Sequence, residues 1–144
     1  MPEYTFTVIR IFIAIAMLTI CTVQDIRTGY IDTLIVLIAT GIFIAIEIIT
    51  NKTILMADII LGVVFLILSK VCKGVGEGDL YVLFALCLIS GCNTILGIMF
   101  MSFMTAGIYA LYLRCVKKVS LSEGFPFVPF ITCGYVFNLL ITLG

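Results

Sequence analysis

Long apolar runs broken by brief polar punctuation organise this chain. Tyr4 to Gln24, Thr33 to Thr50 and Ile54 to Ser69 are three such runs, and Asn51-Lys52-Thr53 reads as the hairpin turn between the last two. From Leu80 the apolar sequence continues to Leu113. Gly91-Cys92-Asn93-Thr94 is the turn signal that divides it into a short fourth run and a fifth from Ile95 to Leu113. A sixth follows Pro126 and Pro129 and reaches about Leu143. A helix crosses a ~30 Å hydrocarbon layer with roughly 20 residues. The pattern therefore predicts an all-α, polytopic membrane protein of about six transmembrane helices with short connectors. Residues 1–144 are expected to form a single transmembrane domain, with no room for a separate soluble one.

Composition agrees: 63% of the residues are hydrophobic, 11% are charged, and the mean hydropathy is +1.34. The stretch after Met1-Pro2-Glu3 lacks a basic leader region and a small-residue cleavage site, so it is expected to be a retained first span. The net charge of zero gives no case for a nucleic-acid partner. The basic residues report topology instead. Arg27, Lys70, Lys73, Arg114, Lys117 and Lys118, six of the eight, fall in loops on one side, which the positive-inside rule makes cytoplasmic. Both chain ends then face away from the cytoplasm, and Arg10 lies near enough to the span-one terminus to snorkel outward.

Against this apolar background Gly76-Glu77-Gly78-Asp79 stands out. Asp79 and Asp25 both fall at cytoplasmic helix ends, so the topology brings two carboxylates to one membrane face. Two carboxylates a few ångströms apart do not both ionise easily, and such a pair is an acid and a base together. One takes a proton from water as it attacks a peptide carbonyl, and the other polarises the carbonyl oxygen and feeds the leaving amine. Gly76 and Gly78, without Cβ atoms, would let an extended substrate backbone approach Asp79. A plainer reading stands beside this one: Asp25 ends span one in a pair with Arg27, and Asp79 caps span four. A third reading is a small ion- or proton-coupled transporter, which predicts acids near mid-membrane.

Elimination narrows the chemistry. The chain has no histidine, which excludes Ser-His and Cys-His nucleophiles and the H-E-x-x-H zinc site. Its six cysteines, Cys21, Cys72, Cys87, Cys92, Cys115 and Cys133, contain no C-x-x-C pair, so no metal and no cofactor is expected. Gly74, Gly76 and Gly78 are not followed by Gly-Lys-Ser/Thr and do not form a nucleotide loop. Asp58 is placed too far from Asp79 to pair with it and is expected to snorkel or to bond between helices. Glu47 is expected to anchor the outer interface.

Three blocks carry a family resemblance: Asp25-Ile26-Arg27-Thr28-Gly29-Tyr30-Ile31-Asp32, Gly76-Glu77-Gly78-Asp79, and Phe125-Pro126-Phe127-Val128-Pro129-Phe130 with Gly134. Together they resemble the type IV prepilin peptidases, members of the GxGD aspartic proteases. The resemblance implies an intramembrane aspartic endopeptidase of the cell membrane that removes the basic leader from prepilin-like substrates at the cytoplasmic face. Asp25 and Asp79 match the catalytic aspartates, and Gly76, Gly78 and Arg27 complete the expected substrate-binding set. Where the family continues Ile-Pro-Asn, this chain has Ile31-Asp32-Thr33, with Asp32 or Thr33 left to cap the next helix. Where the family carries Lys two positions after its second aspartate, this chain has Tyr81, so the nearby charge is either missing or supplied by Lys70 or Lys73. The C-x-x-C insertion of the long, methylating members is absent, which matches the short peptidase-only branch.

Overall fold

The computed structural model describes residues 3–49, 56–71, 76–117 and 125–143. Within them the chain forms six helices and no strand: α1 (Glu3–Thr28), α2 (Thr33–Ile49), α3 (Met56–Val71), α4 (Glu77–Ser90), α5 (Cys92–Cys115) and α6 (Val128–Leu143). The Asn51-Lys52-Thr53 turn, Cys72, Lys73, Gly74 and Lys118 lie outside the described residues.

Helix ends follow local chemistry. α1 runs past Gln24 and stops where Gly29 turns left-handed, at φ 66, with its N–H on the Asp25 carbonyl at 2.9 Å. Arg27 therefore rides with Asp25 on the last helical turn and not in a loop. Asp32 caps α2, its Oδ1 accepting the Leu34 N–H at 3.0 Å. Gly91, at φ 87, makes the break between α4 and α5 that the Gly-Cys-Asn-Thr signal predicts. Pro129 sits in the first turn of α6, where a missing N–H costs no helical bond.

The packing places α4 at the centre, against α1, α2, α3 and α5. Leu80, Val82, Leu83, Ala85, Leu86, Cys87, Leu88 and Ile89 are buried all round it. Its neighbours bury one stripe each, Val36, Thr40, Phe43 and Glu47 on α2 and Asp58, Gly62, Phe65 and Ser69 on α3. These stripes carry polar groups inward while large apolar side chains such as Phe12, Leu34, Ile60, Phe100 and Ile141 face outward. An apolar exterior around a partly polar interior suits a lipid surrounding. Thr5–Thr28 and Cys92–Cys115 are long and apolar enough to cross a membrane. The other four helices are 17, 16, 14 and 16 residues long, shorter than the full spans the hydropathy pattern predicts.

Candidate active site

Three helix ends build the candidate site. Asp25 comes from the last turn of α1, Asp79 from the first turn of α4, and the start of α6 closes over Asp25. The Val128 N–H donates to Asp25 Oδ2 at 3.0 Å. The reason lies in the two prolines: Pro129 has no N–H, and the Phe130 and Ile131 N–H groups both turn back to the Phe127 carbonyl, at 2.9 and 3.3 Å. Val128 is thus the one unsatisfied donor of the α6 terminus, and a carboxylate at a helix N-terminus is favourably placed for negative charge. One turn earlier, Thr22 and Thr132 share a hydroxyl hydrogen bond of 2.7 Å, which fixes α1 against α6 and holds Asp25 in register. Asp25 is buried.

Asp79 has a different setting. Its carboxylate makes no hydrogen bond or ion pair among the described residues. Burial, and then the negative charge of Asp25, push it from the ordinary 3.8 up to about 7. Asp79 lies outside both long apolar helices, in the polar turn that opens α4. Its position near the α4 N-terminus favours the anion, but desolvation and the neighbouring carboxylate outweigh that. The two acids are therefore in electrostatic contact although far apart in sequence.

The glycines find specific reasons. A Cβ on Gly76 would stand 2.8 Å from Asp79 Oδ2, so this glycine lets the carboxylate fold back over the helix start. A Cβ on Gly78 would meet Ile31 Cδ1 at 2.8 Å and Ile31 Cβ at 2.9 Å. The space beside Gly78 is filled by Ile31 of the chain's own α1–α2 connector. Arg27 is exposed and forms no ion pair with Asp25, so the plain reading of an Asp25–Arg27 pair is not what the structure has.

Lys70 does not replace the family's lysine. It pairs with Glu77 at 3.7 Å and lies 5.6 Å from the Tyr81 ring centroid. The Tyr81 contact first, and Glu77 after it, raise the Lys70 ammonium. Among the described residues neither Lys70 nor any other cation offsets the rise at Asp79. Beside the site Phe125, Phe127 and Phe130 stack with Phe103 and Tyr109 of α5, with ring centroids 5.4 to 6.5 Å apart.

Sequence reasoning did not find the Val128 N–H or the role of Ile31. The paired prolines of Phe125-Pro126-Phe127-Val128-Pro129-Phe130 carried the first signal, since they leave one donor at the α6 start. Nothing local marked Ile31. At the far end, Glu47 is a buried partner of Arg10, not an interface anchor, and the guanidinium turns inward over the Phe6 and Phe43 rings. Asp58 does bond between helices, its Oδ1 accepting the Cys92 N–H at 2.7 Å. No three His, Cys, Asp or Glu side chains converge as a metal ligand set among the described residues.

A family model described as the type IV leader peptidase family matches residues 12–111. No curated protein and no solved structure matches the chain.

Proposed function

The chain belongs to the type IV leader peptidase family, and from that premise we propose that it is an intramembrane aspartic endopeptidase with Asp25 and Asp79 as its catalytic pair. The observation that carries the reading is the meeting of Asp25 and Asp79 at one end of the bundle, where burial and the Asp25 charge push Asp79 up to about 7 and no cation among the described residues relieves it. Asp25, held by the Val128 N–H, acts as the base. It takes a proton from water while the water oxygen bonds to the scissile carbonyl carbon. Asp79, protonated, donates a hydrogen bond to the carbonyl oxygen as that oxygen gains charge. Collapse of the tetrahedral intermediate breaks the C–N bond, and the carboxyl proton passes to the leaving amine. Two carboxyls and one water complete the cycle, with no cofactor and no metal.

The substrate is a prepilin-like protein cut at the end of its basic leader, with exposed Arg27 and the Gly76 turn at the mouth of the site. A single six-span domain in the cell membrane, with the Asp25 end cytoplasmic, accounts for the charge distribution. The four shorter helices span by drawing on flanking residues or by locally thinning the bilayer. Cysteines in place of Asn93 and Lys117, in a background without native cysteines, should label from opposite sides of the membrane; labelling from one side refutes this topology. The function itself is tested by co-expression with pilin-like precursors. The wild type should remove the leader, and Asp25→Asn or Asp79→Asn, inserted at normal levels, should leave it in place. Processing by either variant sinks the assignment.

A further inference from the structure

A second polar feature lies at the opposite end of the helices. Arg10 precedes Asp25 by fifteen residues on α1, about 22 Å along the helix axis. There the start of α1, the end of α4, the start of α5 and the end of α6 surround a partly open cavity of about 180 Å³. One water needs only about 10–15 Å³ of such volume, so the cavity is an order of magnitude larger than a single-water slot.

Its lining is divided. Arg10, Ser90, Thr94, Asn138 and Thr142 supply hydrogen-bonding groups, while Ile11, Ile89 and Leu139 supply apolar surface. Arg10 spends one nitrogen on Glu47. Its Nε–H is buried and has no partner among the described residues, while about a third of the Arg10 side chain stays exposed, 34%, so the guanidinium edge beside the cavity keeps donors to offer. On the same turns of α1 and α6, next in sequence to lining residues, Val8, Phe12, Phe137 and Ile141 are exposed apolar side chains. A ligand entering there comes from an apolar surrounding and not from water alone.

From these observations we infer that the cavity binds the phosphodiester headgroup of a membrane phospholipid. The phosphate oxygens accept from the exposed edge of the Arg10 guanidinium, the Asn138 amide and the Thr94 hydroxyl, and the first carbons of the acyl chains lie on Ile11, Ile89 and Leu139. Because Glu47 already balances the Arg10 charge, recognition rests on hydrogen bonds more than on net charge, and salt should alter it little. The inference does not depend on proteolysis at the other end.

The test uses the full chain purified in detergent, stripped of lipid, and titrated by native mass spectrometry with dioleoylphosphatidylethanolamine, dioleoylglycerol and inorganic phosphate. Phosphatidylethanolamine should bind saturably. Dioleoylglycerol should bind at least about tenfold more weakly, and inorganic phosphate should fail to displace the phospholipid. Asn138→Leu with Thr94→Val should weaken phospholipid binding by a similar factor. Equal binding of dioleoylglycerol means an apolar groove only, and displacement by inorganic phosphate means a soluble-anion site. Either result overturns the inference, as does unchanged binding by the folded double variant. If that variant does not fold, the wild-type comparison of phospholipid with diacylglycerol decides alone.

Discussion

Both ends of the helix bundle bury acids, and the two ends treat them in opposite ways. At the Arg10 end each acid has a complement: Glu47 pairs with Arg10, and Asp58 accepts the first N–H of α5. At the Asp25 end the complement is incomplete. Asp25 holds one backbone N–H, and among the described residues Asp79 has only another carboxylate for company. Buried charge that serves packing is neutralised where it stands. Charge left in mutual tension is the arrangement that proton transfer uses.

The sharpest way to break this comparison is to neutralise acids at both ends and read stability and cleavage separately. Glu47→Gln should cost about 1–3 kcal/mol, because half-buried Arg10 loses its counter-ion, yet the folded fraction should still cleave. Asp58→Asn keeps an oxygen acceptor for the Cys92 N–H and should cost only about 1 kcal/mol. Asp25→Asn and Asp79→Asn should show the reverse, folded and inactive. Thermal melting alongside leader removal checks all four, and loss of cleavage in folded Asp58→Asn would count against the division.

The next effect is linked to pH. Asp79 has a folded pKa of about 7 against an ordinary 3.8, so its ionisation opposes folding. The cost is absent below about pH 4, grows as pH rises towards 7, and is constant above. Asp79→Asn removes it. The variant should gain on the order of 3 kcal/mol over wild type at pH 8, and progressively less as pH falls to 4. A gain independent of pH over this range would mean that the carboxyl titrates elsewhere.

Smaller effects concern the scaffold. Gly78→Ala should slow cleavage on the order of tenfold by pushing against Ile31, and Ile31→Ala should restore much of the rate. Failure of the second substitution to rescue would return Gly78 to a role in substrate contact. Gly91→Val should destabilise the fold by about 1–3 kcal/mol. Its φ of 87 makes any branched side chain strained. Lys70→Gln should be almost silent, changing cleavage less than about twofold, since its pair with Glu77 is exposed on both sides.

How far this was legible in the sequence differs by element. Six apolar runs with Gly91 and the prolines between them translate directly into six helices, because hydropathy and turn residues act locally. The α1 terminus was misjudged by four residues, since a polar Gln24-Asp25 step resembles a helix end while the actual stop is the left-handed Gly29. At the site, Asp25 and Asp79 stood out because acids are rare in such a chain. Their supports did not. Ile31 against Gly78, Thr22 against Thr132, and the inward turn of Arg10 to Glu47 are contacts between distant segments, and no periodicity along one helix encodes its partner. Tyr81 in place of the family's lysine was visible; that Lys70 is engaged elsewhere was not.

The central claim is that one proton shared by Asp25 and Asp79 drives leader removal, and the pH profile of wild-type cleavage tests it most directly. With purified protein and a leader-bearing substrate, the rate should fall as pH rises through about 7, reaching roughly 100-fold below the pH 6 value by pH 9. A rate that stays level or climbs from pH 6 to pH 9, with the protein folded throughout, would contradict it.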